Sequence, residues 1–207
     1  MKKNKIKNIL TITFAIILIF SVNISAQNDL TADKLVFERS EDGSNIIEAT
    51  GNVKMTYNES IITGDFADFE QTNQLITFRD NVNIKTDQRT LSGDNLVFNM
   101  ESNNMEMNGN VVLNAQDILV ESDTLSYNRE EGVMNFIDNA YIEYGTIKAD
   151  ADQIRVLEKE NKAILTGNVT GQQGENTFKA DRIEIINNGD KIEMVGNAQL
   201  IFVEEQE

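Results

Sequence analysis

Apolar and polar residues alternate along most of this chain, and no stretch after the first 26 residues sustains a helical 3.6-residue spacing. Val53 and Met55, Val82 and Ile84, Val111 and Leu113, and Ala140 and Ile142 are pairs separated by one residue. So are Ile76 and Phe78, Met105 and Met107, Met134 and Phe136, and Ile192 and Met194. A period of two places alternate side chains on opposite faces of an extended backbone, which predicts strands. Turn-forming clusters interrupt the pattern at regular intervals, among them Asn58-Glu59-Ser60, Thr72-Asn73, Ser102-Asn103-Asn104, Asn128 to Gly132 and Gln172 to Asn176. Asn, Asp, Gly and Ser favour turns because they tolerate left-handed backbone or bond their own main chain. The spacing predicts an up-and-down antiparallel order of about twelve strands, each roughly ten residues long.

The alternation is set in a repeat. Gly51-Asn52-Val53 returns as Asp80-Asn81-Val82, Gly109-Asn110-Val111, Asp138-Asn139-Ala140, Gly167-Asn168-Val169 and Gly196-Asn197-Ala198, each asparagine 29 residues after the last. Thirteen residues after an asparagine stands a small residue followed by Asp: Gly64-Asp65, Gly93-Asp94, Ser122-Asp123, Ala151-Asp152 and Ala180-Asp181. Ala32-Asp33 joins the series if the first unit carries three extra residues, with Glu41 to Ser44 the natural place for them. Such regularity predicts six hairpin repeats in one array. Around each small-Asp pair the apolar parity flips. Ile62, Leu91, Val120 and Phe178 lie three before the Asp; Phe69, Phe98, Tyr127 and Ile185 lie four after it. A bulge or corner at that step brings both sets to one side. Glycine at 51, 109, 167 and 196 marks corners in the alternate strands. The expected fold is a long sheet of bent strands folded over an apolar trough.

Composition narrows the chemistry. The 207 residues include no Cys, no His and no Pro. Disulfides and thiolate metal sites are thereby excluded, and the commonest general base and zinc ligand is missing. Carboxylate chemistry survives, so a lipid or polysaccharide hydrolase using the Asp series stays as one alternative. An active site occurs once, however, whereas these acids recur in every unit, which favours a corner role for both the Asp and Asn series. No metal or cofactor is expected. There are 34 acids against 18 basic residues, a net charge of −16. A field of that sign repels nucleic acid and anionic membrane surfaces.

The N-terminus differs from the rest. Lys2, Lys3, Lys5 and Lys7 precede an apolar run from Ile9 to Phe20, followed by Ser21 to Ala26. That order is the signature of a secretory signal over residues 1–26, with Ile24-Ser25-Ala26 the candidate cleavage site and an uncleaved anchor the alternative. Residues 27–207 then form one domain. Loss of the four lysines would leave 34 acids against 14 bases, a net charge of −20.

Units of the form Ala-Asp-x-Leu-x-Phe…Ala-x-Gly-Asn-Val-x-Met behind a signal resemble the OstA/LptA-like family of periplasmic lipopolysaccharide-transport proteins. The matching residues are Ala32-Asp33, Leu35, Phe37, Ala49, Gly51-Asn52-Val53 and Met55. They recur as Gly64-Asp65, Ala67, Phe69, Phe78, Asn81-Val82 and Ile84, and as Gly93-Asp94, Leu96, Phe98, Met107, Gly109-Asn110-Val111 and Leu113. The resemblance implies an antiparallel β-jellyroll whose interior holds the acyl chains of lipopolysaccharide. It also implies head-to-tail stacking of copies, LptC-like and LptD-like transport components as partners, and no enzymatic step.

On that resemblance, Ile62, Phe69, Phe78, Ile84, Leu91, Phe98, Met107, Leu113, Val120, Tyr127 and Phe136 are the candidate lipid-groove residues. Leu35, Phe37, Leu200 and Phe202 are the candidates for edge-strand assembly, because terminal strands present unpaired backbone. Two non-enzymatic alternatives remain. One is a membrane-anchored LptC-like component; the other is a packed β-solenoid scaffold, since a 29-residue period also fits one coil of a parallel β-helix.

Overall fold

The structure, a computed structural model, describes residues 28–39, 44–116, 118–186, 189 and 191–203. The signal-peptide expectation, the extra residues of the first unit and the terminal acids Glu204, Glu205 and Glu207 fall wholly or mostly outside that set. The strands are β1 (Asp29–Thr31), β2 (Lys34–Arg39), β3 (Asn45–Tyr57), β4 (Ser60–Glu70), β5 (Leu75–Lys85), β6 (Arg89–Asn99) and β7 (Asn104–Ala115). They continue as β8 (Ile118–Asn128), β9 (Val133–Tyr144), β10 (Ile147–Leu157), β11 (Lys162–Gln173), β12 (Asn176–Ile186), β13 (Lys191–Val195) and β14 (Gln199–Ile201). One 3₁₀ turn, Glu158–Glu160, links β10 to β11.

Every pairing is antiparallel, and β3 to β12 follow chain order across one sheet. That excludes the parallel β-helix. β1 and β2 both pair with β3, and β13 and β14 both pair with β12. Each pair is therefore one bent strand broken at its corner. Counted as bent strands, the sheet has the twelve that the turn spacing predicts.

The corners lie where the repeat places them. Each strand-to-strand register shifts at the Asn step of one strand and the Asp step of its neighbour, for example between Thr50 and Val53 on β3 and between Arg79 and Val82 on β5. Two consecutive residues there are left-handed. Gly109 has φ +81° and Asn110 +49°; Asp80 has +59° and Asn81 +52°. Glycine and asparagine bear this conformation at least cost, which explains the dipeptide.

The bend divides the sheet into two half-sheets. One carries Ala49, Ala67, Ile76, Phe78, Leu96 and Phe98 inward; the other carries Val53, Met55, Ile62, Val82, Ile84 and Leu91. All of these belong to a single hydrophobic cluster. The half-sheets face each other, since the Tyr57 ring on one meets the Phe98 ring on the other edge to face at 5.2 Å. Outward positions are polar and carry cross-strand ion pairs such as Arg79–Asp68 at 2.6 Å and Lys148–Glu143 at 3.0 Å.

Candidate functional site

The spine of the bend is a ladder of side-chain hydrogen bonds. Asn52 Nδ2 donates to Asp33 at 2.8 Å, Asn81 to Asp65 at 2.7 Å and Asn110 to Asp94 at 3.1 Å. Asn139 donates to Asp123 at 2.8 Å, and Asn168 and Asn197 to Asp152 and Asp181, each at 3.0 Å. The two repeated motifs are thus partners, with every Asp accepting from the Asn of the following strand. The separation is 16 residues everywhere except the first rung, where it is 19, so the first unit does hold three extra residues. Glycine precedes Asn at four corners partly for room. A Cβ on Gly109 would stand 2.2 Å from Asp94 Oδ2, and one on Gly167 2.1 Å from Asp152 Oδ2. Recurring acids engaged in this way are a hinge, not a set of catalytic groups. No cluster of three or more metal-ligating side chains occurs among the described residues.

The interior is apolar along the whole stack and filled in its middle. Ile62, Phe78, Ile84, Leu91, Phe98, Met107, Leu113, Val120, Tyr127 and Phe136 are all buried. Phe69, the eleventh candidate, is half-buried against the same cluster. A pocket of about 350 Å³ lined by Leu75, Val97, Asn104, Glu106 and Ser126 lies among outward-facing residues, away from the trough.

Polar contacts bridge the lips, where the hairpin turns of the two half-sheets meet. Tyr57 donates from its hydroxyl toward Met100 O and Asn103 Oδ1, each at 3.2 Å. Arg89, at the lip end of β6, is buried, and its charge interacts with Glu158 and Tyr127 from the opposite half-sheet. Tyr127 Oη donates to Glu158 Oε2 at 3.4 Å. Burial holds the Glu158 carboxyl above the ordinary carboxylate range despite the pull of Arg89. Burial, together with Glu158, pushes the Tyr127 phenol up to about 12. Ring contact recurs farther along, where a Cβ on Gly189 would meet Tyr144 at 3.9 Å. Sequence periodicity could not find Arg89 or Glu158, because neither recurs from unit to unit.

These bridges also show a stagger. Tyr57 of β3 reaches the turn between β6 and β7, and Tyr144 of β9 reaches the turn between β12 and β13. The half-sheets are offset along the stack, so each leaves an uncovered apolar margin at one end. The candidate edge residues lie there. Leu35 and Phe37 are on β2, Leu200 is on β14 and Phe202 follows it; all four are exposed, Phe37 most of all at 73%. Ile192, Val195, Ile201 and Val203 join them.

A corner-folded antiparallel jellyroll with an apolar interior open at both ends defines the class. A family model described as LptA/(LptD N-terminal domain) LPS transport protein matches residues 24–104, 61–160 and 146–204, and the chain belongs to this family of lipopolysaccharide-transport proteins. No curated protein matches the sequence. The crystal structure of LptH, described as the LptA homologous periplasmic component of the lipopolysaccharide transport device of Pseudomonas aeruginosa, is similar at 11% identity and a TM-score of 0.34. The similarity covers 70% of this chain and 95% of that one. Among the described residues no helix is long and apolar enough to cross a membrane.

Proposed function

We propose that this chain carries lipopolysaccharide across an aqueous compartment between two membranes, sheltering the acyl chains in its trough and stacking head to tail into a bridge. The observation that carries this is the continuous apolar interior, closed in its middle and unfinished at both ends. Acyl chains left in water cost about 0.8 kcal/mol per methylene, so such a crossing needs a covered apolar route. Because Phe78, Phe98 and Phe136 fill the middle, lipid enters by parting the lips or from the uncovered margins, and the Tyr57 and Arg89–Glu158 bridges resist that opening. The sugar–phosphate head stays outside. No bond is made or broken, and the movement is driven from elsewhere.

The partners this implies are lipopolysaccharide itself, LptC-like and LptD-like components at the two ends of the bridge, and further copies of the chain. The working place is the periplasm, reached through the N-terminal signal, with cleavage of residues 1–26 leaving one jellyroll domain. Native mass spectrometry of the exported protein titrated with purified lipopolysaccharide tests this directly. The expected result is about one lipid per protomer together with concentration-dependent oligomers. A rigid monomer that takes up no lipid at any concentration would favour the packed scaffold instead.

A further inference from the structure

The internal joints of the stack specify what either free end lacks. Where an Asn-type strand is followed by an Asp-type strand, one pairing rule holds at all five joints. The residue two before the Asn faces the residue after the Asp, and the residue after the Asn faces the residue before the Asp. Thr50 thus faces Phe66 and Val53 faces Gly64; Arg79 faces Asn95 and Val82 faces Gly93. The rule repeats as Asn108–Thr124 with Val111–Ser122, as Ile137–Gln153 with Ala140–Ala151, and as Thr166–Arg182 with Val169–Ala180. The last bent strand, β13 with β14, is of Asn type and has a free edge. The first, β1 with β2, is of Asp type and has the other.

We propose that a second copy of this chain completes the joint in this same register, β13 and β14 of one copy pairing antiparallel with β2 and β1 of the next. This rests on the head-to-tail reading above and sharpens it to named residue pairs. Val195 then faces Lys34 of the next copy, Met194 faces Leu35, Glu193 faces Val36, Ile192 faces Phe37 and Lys191 faces Glu38. Beyond the corner, Ala198 faces Ala32, Gln199 faces Thr31 and Leu200 faces Leu30.

Three observations agree with this register and were not used to set it. Met194, Ile192, Ala198 and Leu200 are the inward positions of their strands, as their pairing with Ile183, Ile185 and Phe178 shows. Each meets an inward apolar residue of the next copy, so side chains now exposed become core. Ile192 against Phe37 repeats the internal pairs Ile76–Phe98 and Met105–Tyr127. On the outer face Lys191 lies opposite Glu38, and Glu193 lies diagonal to Lys34, so opposite charges meet. Finally, the stagger gives the uncovered margin at the N-terminal end, with Phe37 and Phe69, a counterpart in the half-sheet that overhangs at the other end, which carries Phe178 and Leu200. An Asn-type edge against its own kind would set Asn corner against Asn corner, a match no internal joint contains. The joint is heterologous and does not close, so it propagates as a filament.

The native absence of cysteine makes a clean test possible. Full-length chains bearing Glu193→Cys and Val36→Cys, both at outward positions, are mixed under mild oxidation. Directly opposite residues sit within disulfide reach, whereas diagonal ones at about 7–8 Å do not. The expected result is a cross-linked dimer from this mixture, at least ten-fold more than from Glu193→Cys with Lys34→Cys or from either variant alone. Preferential linkage of the Glu193→Cys and Lys34→Cys mixture would overturn the register while leaving edge stacking intact. Linkage within one variant would overturn the heterologous joint. No linkage from any mixture would remove the joint altogether, and lipid uptake by the same variants in native mass spectrometry would show separately whether the carrier function stands.

Discussion

The middle of the stack and its two ends are made from the same 29-residue unit, yet they present opposite surfaces. In the middle, Phe78, Phe98, Met107 and Phe136 lie sealed between half-sheets whose lips are bridged by Tyr57 and by Arg89 with Glu158. At the ends, Phe37, Ile192 and Leu200 occupy equivalent inward positions and are exposed. Nothing in their chemistry distinguishes the two groups. What differs is the neighbour: an inner unit has a strand on each side and a staggered half-sheet above it, and a terminal unit lacks one of each. The same residue pattern therefore serves as core in one place and as an adhesive edge in the other.

The contrast is open to measurement, beginning with the largest effect. Phe98→Ala should destabilise the monomer by about 3–5 kcal/mol, as expected for a fully enclosed aromatic, whereas Phe37→Ala should stay within about 0.5 kcal/mol. Chemical denaturation at low protein concentration measures both, and similar losses would erase the distinction between middle and end. Next comes the corner. Gly109→Ala forces a Cβ into a left-handed position against Asp94 and should cost about 1–3 kcal/mol. Gly196→Ala puts the same strain beside β14, three residues long and wholly exposed, where fraying relieves it. A smaller thermal shift for Gly196→Ala is expected; an equal one would mean that the ends are as tightly held as the middle.

Tyr57→Phe keeps the edge-to-face contact with Phe98 and removes only the hydroxyl bridge between the lips. A loss of about 1 kcal/mol is expected, with faster uptake of a lipid-like dye into the interior. Unchanged uptake would show that the lips do not gate the trough. The smallest effect concerns Glu158. Its pKa is raised on folding, so its contribution is fully present below the ordinary carboxylate value and fades as pH rises through the raised one. Wild type should therefore lose stability relative to Glu158→Gln as pH climbs from acid toward neutrality. Parallel pH curves for the two proteins would place Glu158 in water, outside the bridged lips.

Much of the architecture was legible because it is periodic. Alternation marked the strands, Asn-rich clusters marked the turns, and the parity flip around Asp65, Asp94 and Asp123 marked the bend. The corner role of both series was visible in their recurrence, although their pairing with each other was not. The register that brings Asn81 to Asp65 links positions 16 residues apart on neighbouring strands, and local pattern carries no record of it. Ten of the eleven groove candidates lie in the enclosed interior, and the four edge candidates lie on exposed terminal strands or just past them. Phe69 alone among the groove candidates stands partly open, because it lies near the uncovered margin.

By itself, the sequence determined the elements, the repeat, the corners and the identity of the inward face. These depend on side-chain chemistry within one strand or one turn, where spacing along the chain equals spacing along the backbone. The tertiary structure decided which half-sheet covers which, that the middle is closed while the margins are open, and that Arg89 meets Glu158 across the lips. Those outcomes follow from the angle and offset at which two twisted half-sheets pack, set jointly by every corner in the stack and written in no single repeat.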